Sequence, residues 1–299
     1  MSRIKIKPWI VSFRLRTLPL SVSCILTGSF LAAYHGKFST PVFALATVTT
    51  LLLQILSNLA NEYGDMVKGT DSSERIGPER SLQKGELTIR QMKRMMIIIG
   101  CITAVTGLAL ILYATTVYYT LIFLLAGGSA LAAAVKYTVG EKPYGYRAMG
   151  DIAVFIFFGP VGVIGTFFLH TGFFKSDIIL PSLTAGFLSV AVLNLNNMRD
   201  VDNDRKHGKI TIALLLGKRY SRIYHITLLI AALSSTIIFS MINSLQYWRY
   251  LYLVSFVPVT GSVYKVMSYN NPSELDPGLK KTAISNMLHS ILLGAVLLL

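Results

Sequence analysis

The chain has 299 residues, 53% of them hydrophobic and 14% charged, with a net charge of +14. A soluble domain carries about 25% charged residues, so this chain has too few to coat a globule of its length. A mean hydropathy of +0.57 points instead to a chain that spends most of its length in a membrane.

Apolar runs of roughly 20 residues suit membrane-spanning helices. Nine occur in chain order, at residues 17–35, 41–61, 95–114, 117–135, 151–170, 177–197, 223–243, 250–268 and 282–299. They predict an all-α membrane protein of nine transmembrane helices. The loops between them have no room for a soluble domain, so residues 1–299 read as one integral-membrane domain. The first run follows a basic start (Arg3, Lys5, Lys7, Arg14, Arg16), the outline of a signal peptide. Its length, and the membrane-embedded chain after it, predict an uncleaved first helix. Cys24 and Cys101 lie in apolar runs without metal-ligand spacing and are expected as buried free thiols.

The basic charge has a topological explanation. Placing the N-terminus in the cytoplasm puts 25 of the 28 Lys and Arg on the cytoplasmic side; only Lys37, Lys175 and Arg249 fall opposite. Such asymmetry predicts orientation in an inner (cytoplasmic) membrane. No basic–aromatic pattern calls for nucleic acid.

The second helix runs uncharged from Pro41 to Ser57 and then reads NLANEYGDMVKGTD from Asn58 to Asp71. Carboxylates near a bilayer core are costly and usually mark function. The sixth helix ends in the same way, NLNNMRDVDNDRKHGK from Asn194 to Lys209. Asn58, Asn61 and Asp65 are spaced by three and four residues, as are Asn197, Asp200 and Asp204, and the triads are offset by 139 at every position. Residues at i, i+3 and i+7 share one helix face. A duplicated four-helix unit is therefore expected, plus a ninth helix, with a cavity and a site between the halves. One Asp at a helix end is ordinarily solvated; two triads at one spacing are a different matter. Each is followed by a basic loop, with Arg75, Arg80 and Lys84 in the first and Arg205, Lys206 and Lys209 in the second.

Mg²⁺ takes one or two carboxylates, waters and phosphate oxygens. Two facing carboxylate clusters suit two such ions bridged by a diphosphate, with Arg and Lys balancing the charge. The apolar part of that ligand would lie among the helices, and an isoprenoid diphosphate has this polarity. Metal and cations would stabilise the departing diphosphate, and a dry cavity would protect the allylic carbocation. A secondary transporter is the rival class, but it should carry polar residues deep in several spans. A non-catalytic scaffold would have no need of the repeated triads.

The two motifs resemble the Asp-rich motifs of the UbiA-type intramembrane prenyltransferases. RLRTLP (Arg14–Pro19), KGTD (Lys68–Asp71) and YTVGEKPYGYRAMGDIAVFIFFG (Tyr137–Gly159) are similar to the branch that prenylates 1,4-dihydroxy-2-naphthoate in menaquinone biosynthesis. The resemblance covers essentially the whole chain. It implies a central cavity open laterally to lipid, a polyprenyl diphosphate donor and a naphthoate acceptor. It implies Mg²⁺ held through Asn61, Asp65, Asp200 and Asp204, with Asn58, Asp71 and Asn197 in support. Arg75, Arg80, Lys136, Arg205 and Lys209 are the expected diphosphate ligands, and Tyr137 and Arg147 are expected on the acceptor side. Within the superfamily the alternative acceptors are 4-hydroxybenzoate, haem, a chlorophyll precursor or a glycerol phosphate. Glu62 stands where the family carries Asp and holds its charge one methylene further out, which leaves open whether it contacts the metal.

Overall fold

A computed structural model describes residues 6–71 and 76–299. Nine helices among them are long and apolar enough to cross a membrane: α1 (Ile6–Tyr34), α2 (Thr40–Val67), α3 (Ile89–Ala114), α4 (Val117–Lys136), α5 (Gly150–Thr171), α6 (Ser176–Arg199), α7 (Ile212–Ile242), α8 (Tyr247–Ser268) and α9 (Pro272–Leu298). The protein is an all-α, multi-pass membrane protein.

Several helices outrun their apolar segments by one to three turns, because capping side chains rather than hydropathy set their ends. Thr88 and Gln91 form a reciprocal capping box that starts α3. Thr211 accepts from the Leu214 N–H at 3.2 Å at the start of α7. Asn271 and Glu274 make a second box ahead of α9. Each cap satisfies N–H groups that the helix itself leaves open and contributes about 1 kcal/mol.

α1 is broken at Arg14, which is left-handed (φ 49°), so a short amphipathic helix precedes the span. Asn58 fastens this break: its Nδ2 donates to the Phe13 carbonyl at 2.9 Å and to Thr17 Oγ1 at 3.0 Å. α5 passes through π-helical turns at Phe157–Ile164 around Pro160, whose missing N–H cannot complete the α-helical ladder. Glycines let α5 lie close to its neighbours. A Cβ on Gly28 of α1 would meet the Val163 carbonyl at 2.5 Å, and one on Gly159 would meet the Ser182 carbonyl at 2.8 Å.

α6 is the centre of the bundle and packs most extensively on α7. Lipid is as apolar as the helices, so burial alone does not hold them together; close packing and interhelical hydrogen bonds of about 0.6 kcal/mol each do. Thr184 to Thr236 (3.1 Å), Asn286 to Ser189 (3.2 Å), Thr27 to Ser290 (2.9 Å) and Asn194 to the Ser221 carbonyl (3.1 Å) are such bonds. Polar side chains thus do run deep in several spans, as uncharged Ser, Thr and Asn groups that bond from helix to helix. α4 is the opposite case, burying only Ala134. Cys24 is buried as expected, whereas Cys101 is exposed on α3, on a face directed away from the bundle.

The duplication shows in the backbone. Thr70 N–H reaches the Asp65 carbonyl (2.8 Å) and Gly69 N–H the Met66 carbonyl (3.2 Å); Lys209 N–H reaches the Asp204 carbonyl (2.8 Å) and Gly208 N–H the Arg205 carbonyl (3.3 Å). Both are Schellman turns with a left-handed glycine, Gly69 at φ 74° and Gly208 at φ 67°, the conformation in which only glycine is unstrained. The repeat is imperfect at one point. The first triad sits on an unbroken α2, but the helix in the second half breaks at Asp200 (φ −94°, ψ 8°) and Asp204 sits on a separate turn, Val201–Lys206. The second triad therefore does not share the single helical face that its spacing predicts.

The ends carrying the motifs are tied together. Asn203 Nδ2 donates to the Thr70 carbonyl at 2.9 Å. Ala148 N–H bonds the Ile210 carbonyl (2.8 Å), and Ile210 N–H bonds the Tyr146 carbonyl (3.2 Å). The loops following α2, α4 and α6 meet there in one polar cap.

Candidate active site

Beneath this cap lies a cavity of about 1350 Å³. Its polar end is lined by Asn61, Asp65, Arg80, Tyr137, Arg199 and Lys209; the remainder is apolar, with Leu108, Ile122, Phe123, Phe157 and Ile164 among its walls. The cavity therefore has the polarity of an amphipathic anion.

On the first-half side, Arg80 Nη1 donates to Asp65 Oδ2 at 2.9 Å, Asp71 Oδ2 at 2.6 Å and the Asn61 carbonyl at 3.2 Å. The Tyr146 hydroxyl donates to Asp65 Oδ1 at 2.8 Å and contacts Thr70 Oγ1 at 2.6 Å. Both oxygens of Asp65 are thus engaged. On the second-half side, Arg199 grips Asp200 with a fork, Nε to Oδ1 and Nη2 to Oδ2, both 2.8 Å. The same guanidinium reaches Asp276 Oδ1 at 2.7 Å and Asn196 Oδ1 at 2.8 Å, tying α6 to the start of α9. Lys209 Nζ stands 3.6 Å from Asp204 Oδ1.

Burial sets the electrostatics. Asp204 is lifted to about 6 by burial, against the pull of Lys209 and with Asp200 and Asp65 pushing the same way as burial. Burial disfavours charge on Lys209, but Asp65 and Asp204 overcome it and raise its pKa. Arg80 follows the same pattern, with Asp65 and Asp71 outweighing burial. Burial pushes Tyr137 up to about 12 and Tyr146 upward as well, so both are neutral phenols at physiological pH.

The expected metal-binding residues have suitable chemistry. All are oxygen donors, as a hard cation requires. Two of their oxygens, Asn61 Oδ1 and Asp204 Oδ2, are buried with no hydrogen-bond partner, a costly condition that a bound cation would relieve. Among the described residues no three His, Cys, Asp or Glu side chains form a ready-made cluster; Lys209 and the two arginines hold the carboxylates instead.

The other expected residues divide. Asn197 is buried and lines the cavity. Asp200 and Asp204 are buried behind Arg199 and Lys209 rather than in the cavity wall. Asn58 lines the cavity, but its amide is spent on the α1 break. Glu62 turns away, its Oε1 accepting the Leu82 N–H at 2.9 Å. Lys136, Arg205 and Arg147 are exposed and outside the cavity wall. Lys136 ends the weakly buried α4, Arg205 sits one residue and so about 100° around a helix from Asp204, and Arg147 lines a separate surface pocket. Arg75 lies outside the described residues. Two residues at the centre of the arrangement were absent from the expectations. Arg199, inside the second motif, is one of many basic residues on this side of the membrane, and Tyr146 is one of three tyrosines from Tyr137 to Tyr146. Asp276 has no local signal, being 77 residues from its partner.

A helical membrane bundle with carboxylates and buried cations gathered at one end of an apolar cavity defines a class of enzyme, one that works within the membrane on ligands with an anionic head and a hydrocarbon body. The chain belongs to the UbiA prenyltransferase family, whose model matches residues 21–287, and it is a prenyltransferase. It is 40% identical to the 1,4-dihydroxy-2-naphthoate octaprenyltransferase of Escherichia coli (strain K12) over 95% of this chain and 92% of that protein. Its fold is similar to the apo structure of a UbiA homolog from Aeropyrum pernix K1 (TM-score 0.69, 18% identity, 95% and 97% of the two chains). It is also similar to a UbiA homolog from Archaeoglobus fulgidus bound to DMAPP and Mg²⁺ (TM-score 0.51, 15% identity, 95% and 98%).

Proposed function

We propose that the protein transfers a polyprenyl chain from its diphosphate to 1,4-dihydroxy-2-naphthoate, in a Mg²⁺-dependent reaction at the cytoplasmic side of the inner membrane. The supporting observation is the meeting of both Asp motifs, the buried Arg80 and Arg199 and the part-buried Lys209 at one end of an apolar cavity, in a chain this similar along its length to a naphthoate prenyltransferase. The excess of Lys and Arg on one side supports the orientation.

In this reading Arg80, Lys209 and Arg199 hold the diphosphate head, and the prenyl chain lies along the apolar wall. Mg²⁺, held through Asn61, Asp65, Asp200 and Asp204, would neutralise negative charge growing on the departing diphosphate. The bond between C1 of the prenyl chain and the diphosphate oxygen breaks, with the electron pair leaving on oxygen. The ring carbon bearing the naphthoate carboxylate then bonds to C1. Loss of that carboxylate as CO₂ returns its bonding pair to the ring and gives demethylmenaquinol, the reduced form of demethylmenaquinone. The chain's own contribution is orientation and exclusion of water. Tyr137, uncharged and on the cavity wall, would stabilise positive charge developing near its ring.

The test is a product assay with purified protein, a prenyl diphosphate and Mg²⁺. With naphthoate, prenylated product and CO₂ should form one to one. With 4-hydroxybenzoate the rate should be at least about tenfold lower. A faster reaction with 4-hydroxybenzoate, or product retaining the carboxylate, would refute this acceptor.

A further inference from the structure

A second pocket, of about 410 Å³, opens on the outer side of the polar cap and is lined by Lys68, Glu141, Lys142, Tyr146, Arg147 and His207, with Pro143 and Gly208. Three of its walls are permanent cations and one is a carboxylate. Among the described residues Lys68, Lys142 and Arg147 make no side-chain ion pair, although Glu141 shares their pocket. Elsewhere in the cap the buried cations are committed to carboxylates; here three are left facing a concave space.

Tyr146 separates this pocket from the candidate active site. Its ring lines the pocket, while its hydroxyl bonds Asp65 in the cavity wall at 2.8 Å. Lys209 Nζ, from the cavity, and Lys68 Nζ, from the pocket, each lie 5.5 Å from its ring centroid. Cationic groups therefore continue from one space to the other past a single side chain. The chain segment carrying Tyr146 is held by the backbone bonds to Ile210, which fixes the partition and the adjoining Arg147.

The reaction gives this arrangement a use. Its two large products differ completely in where they can go. The prenylated ring is apolar and can leave through the lipid-facing side of the cavity. A free diphosphate cannot cross that wall, because moving a polyanion through hydrocarbon is prohibitively costly. It needs a polar route to water, and a cation relay would supply one. We propose that the Lys68–Lys142–Arg147 pocket binds inorganic diphosphate after its release and is the first station on that route. The proposal rests on the prenyl-transfer reading for its ligand, but the binding itself needs neither Mg²⁺ nor the carboxylates.

The test uses the full-length protein in nanodiscs of neutral lipid. Inorganic diphosphate is titrated calorimetrically in EDTA, which removes any metal-bridged binding in the main site. Binding should be measurable, should survive Asp204→Asn, and should weaken about tenfold or more in Lys142→Gln/Arg147→Gln, as expected for losing two charge-assisted contacts. In turnover, the double variant should lower kcat while leaving the single-turnover rate intact, since release and not chemistry is slowed. Absence of binding in EDTA, or binding indifferent to the double variant, would overturn the proposal. So would loss of wild-type binding when the nanodiscs contain phosphatidylglycerol, which would assign the pocket to a lipid headgroup. A protein that binds diphosphate in this way but prenylates no acceptor would refute the function and leave the pocket standing.

Discussion

Arg199 offers the sharpest check on how the site is held, because one guanidinium makes four hydrogen bonds to Asp200, Asn196 and Asp276. Arg199→Lys keeps the charge and removes the planar fork. An ammonium at this position can serve one carboxylate well. Asp276 is 45% exposed as a side chain and can turn to water, whereas Asp200 is 8% exposed and cannot. The lysine should therefore stay with Asp200 through one contact in place of two. At least two charge-assisted bonds are lost, at about 1.5–3 kcal/mol each, so the substitution should cost about 3 kcal/mol or more. If Arg199 positions Asp200 for a metal, a loosened carboxylate should also raise the Mg²⁺ concentration for half-maximal activity, by about tenfold for each 1.4 kcal/mol that reaches the metal site. The control is Asp276→Ala, which removes only the exposed arm. It should cost about 1 kcal/mol or less and leave the Mg²⁺ midpoint alone. Thermal inactivation in detergent and Mg²⁺ titration of turnover read the two effects separately. A destabilised Arg199→Lys protein with an unchanged Mg²⁺ midpoint would reduce Arg199 to a strut between α6 and α9.

Asp65→Asn and Asp204→Asn should each lower turnover at saturating Mg²⁺ by a factor on the order of 10² or more. The double variant should be little worse than either, because the residues would act on one leaving group; near-normal rates for both single variants, with EDTA harmless, would exclude a metal-assisted departure. Glu62→Gln is the matched control, since the amide oxygen can still accept the Leu82 N–H, and a loss as large as that of Asp65→Asn would return Glu62 to the site. For orientation, impermeant thiol reagents applied to sealed cells should label a cysteine placed beside Lys37 or Lys175 and miss one placed beside Lys209; the reverse pattern would invert the membrane topology.

Hydropathy located every span because lipid selects uniformly for apolar surface, and it failed at helix ends because Thr88, Thr211 and Asn271 act through hydrogen bonds invisible to an average. The carboxylates of the site were legible because charge at the end of an apolar run is rare. The cations are legible only in part: Arg80 and Lys209 line the cavity as expected, while Arg199 carries no signal and Lys136, Arg205 and Arg147 fall outside the wall, for three distinct reasons. Basic residues are abundant on this side of the membrane, so abundance carries no information about which of them turn inward. Neighbourhood in sequence misleads on a helix, where Arg205 diverges from Asp204 and Lys136 follows the exposed face of α4. Partners distant in sequence, such as Arg199 with Asp276, are set by the packing of α6 on α9 alone. The break at Asp200 compounds this, since helical periodicity no longer relates Asn197 to Asp204.

The duplication relates one pair of carboxylates, Asp65 and Asp204, and stops there; it carries Asn61 onto Asp200 and Asp71 onto Ile210. Offsetting by 139 residues carries Asp65 onto Asp204, Gly69 onto Gly208 and Thr70 onto Lys209, but it carries Arg80 onto the exposed Arg219, and Arg199 back onto Ala60. The backbone turns are repeated; the cations beside them are not. Where the first half has Thr70 braced against the Tyr146 hydroxyl, the second has the ammonium of Lys209 between Asp65 and Asp204. On the proposed reading this inequality matters chemically. A diphosphate ester has two different ends, one bearing the prenyl chain and one free, and a site with full two-fold symmetry would bind it equally well in either direction. Asp65 and Asp204, related by duplication, would give a hard cation one equivalent anchor in each half. Cations unique to each half remove the equivalence and let the head bind in one direction, with C1 of the chain turned toward the acceptor.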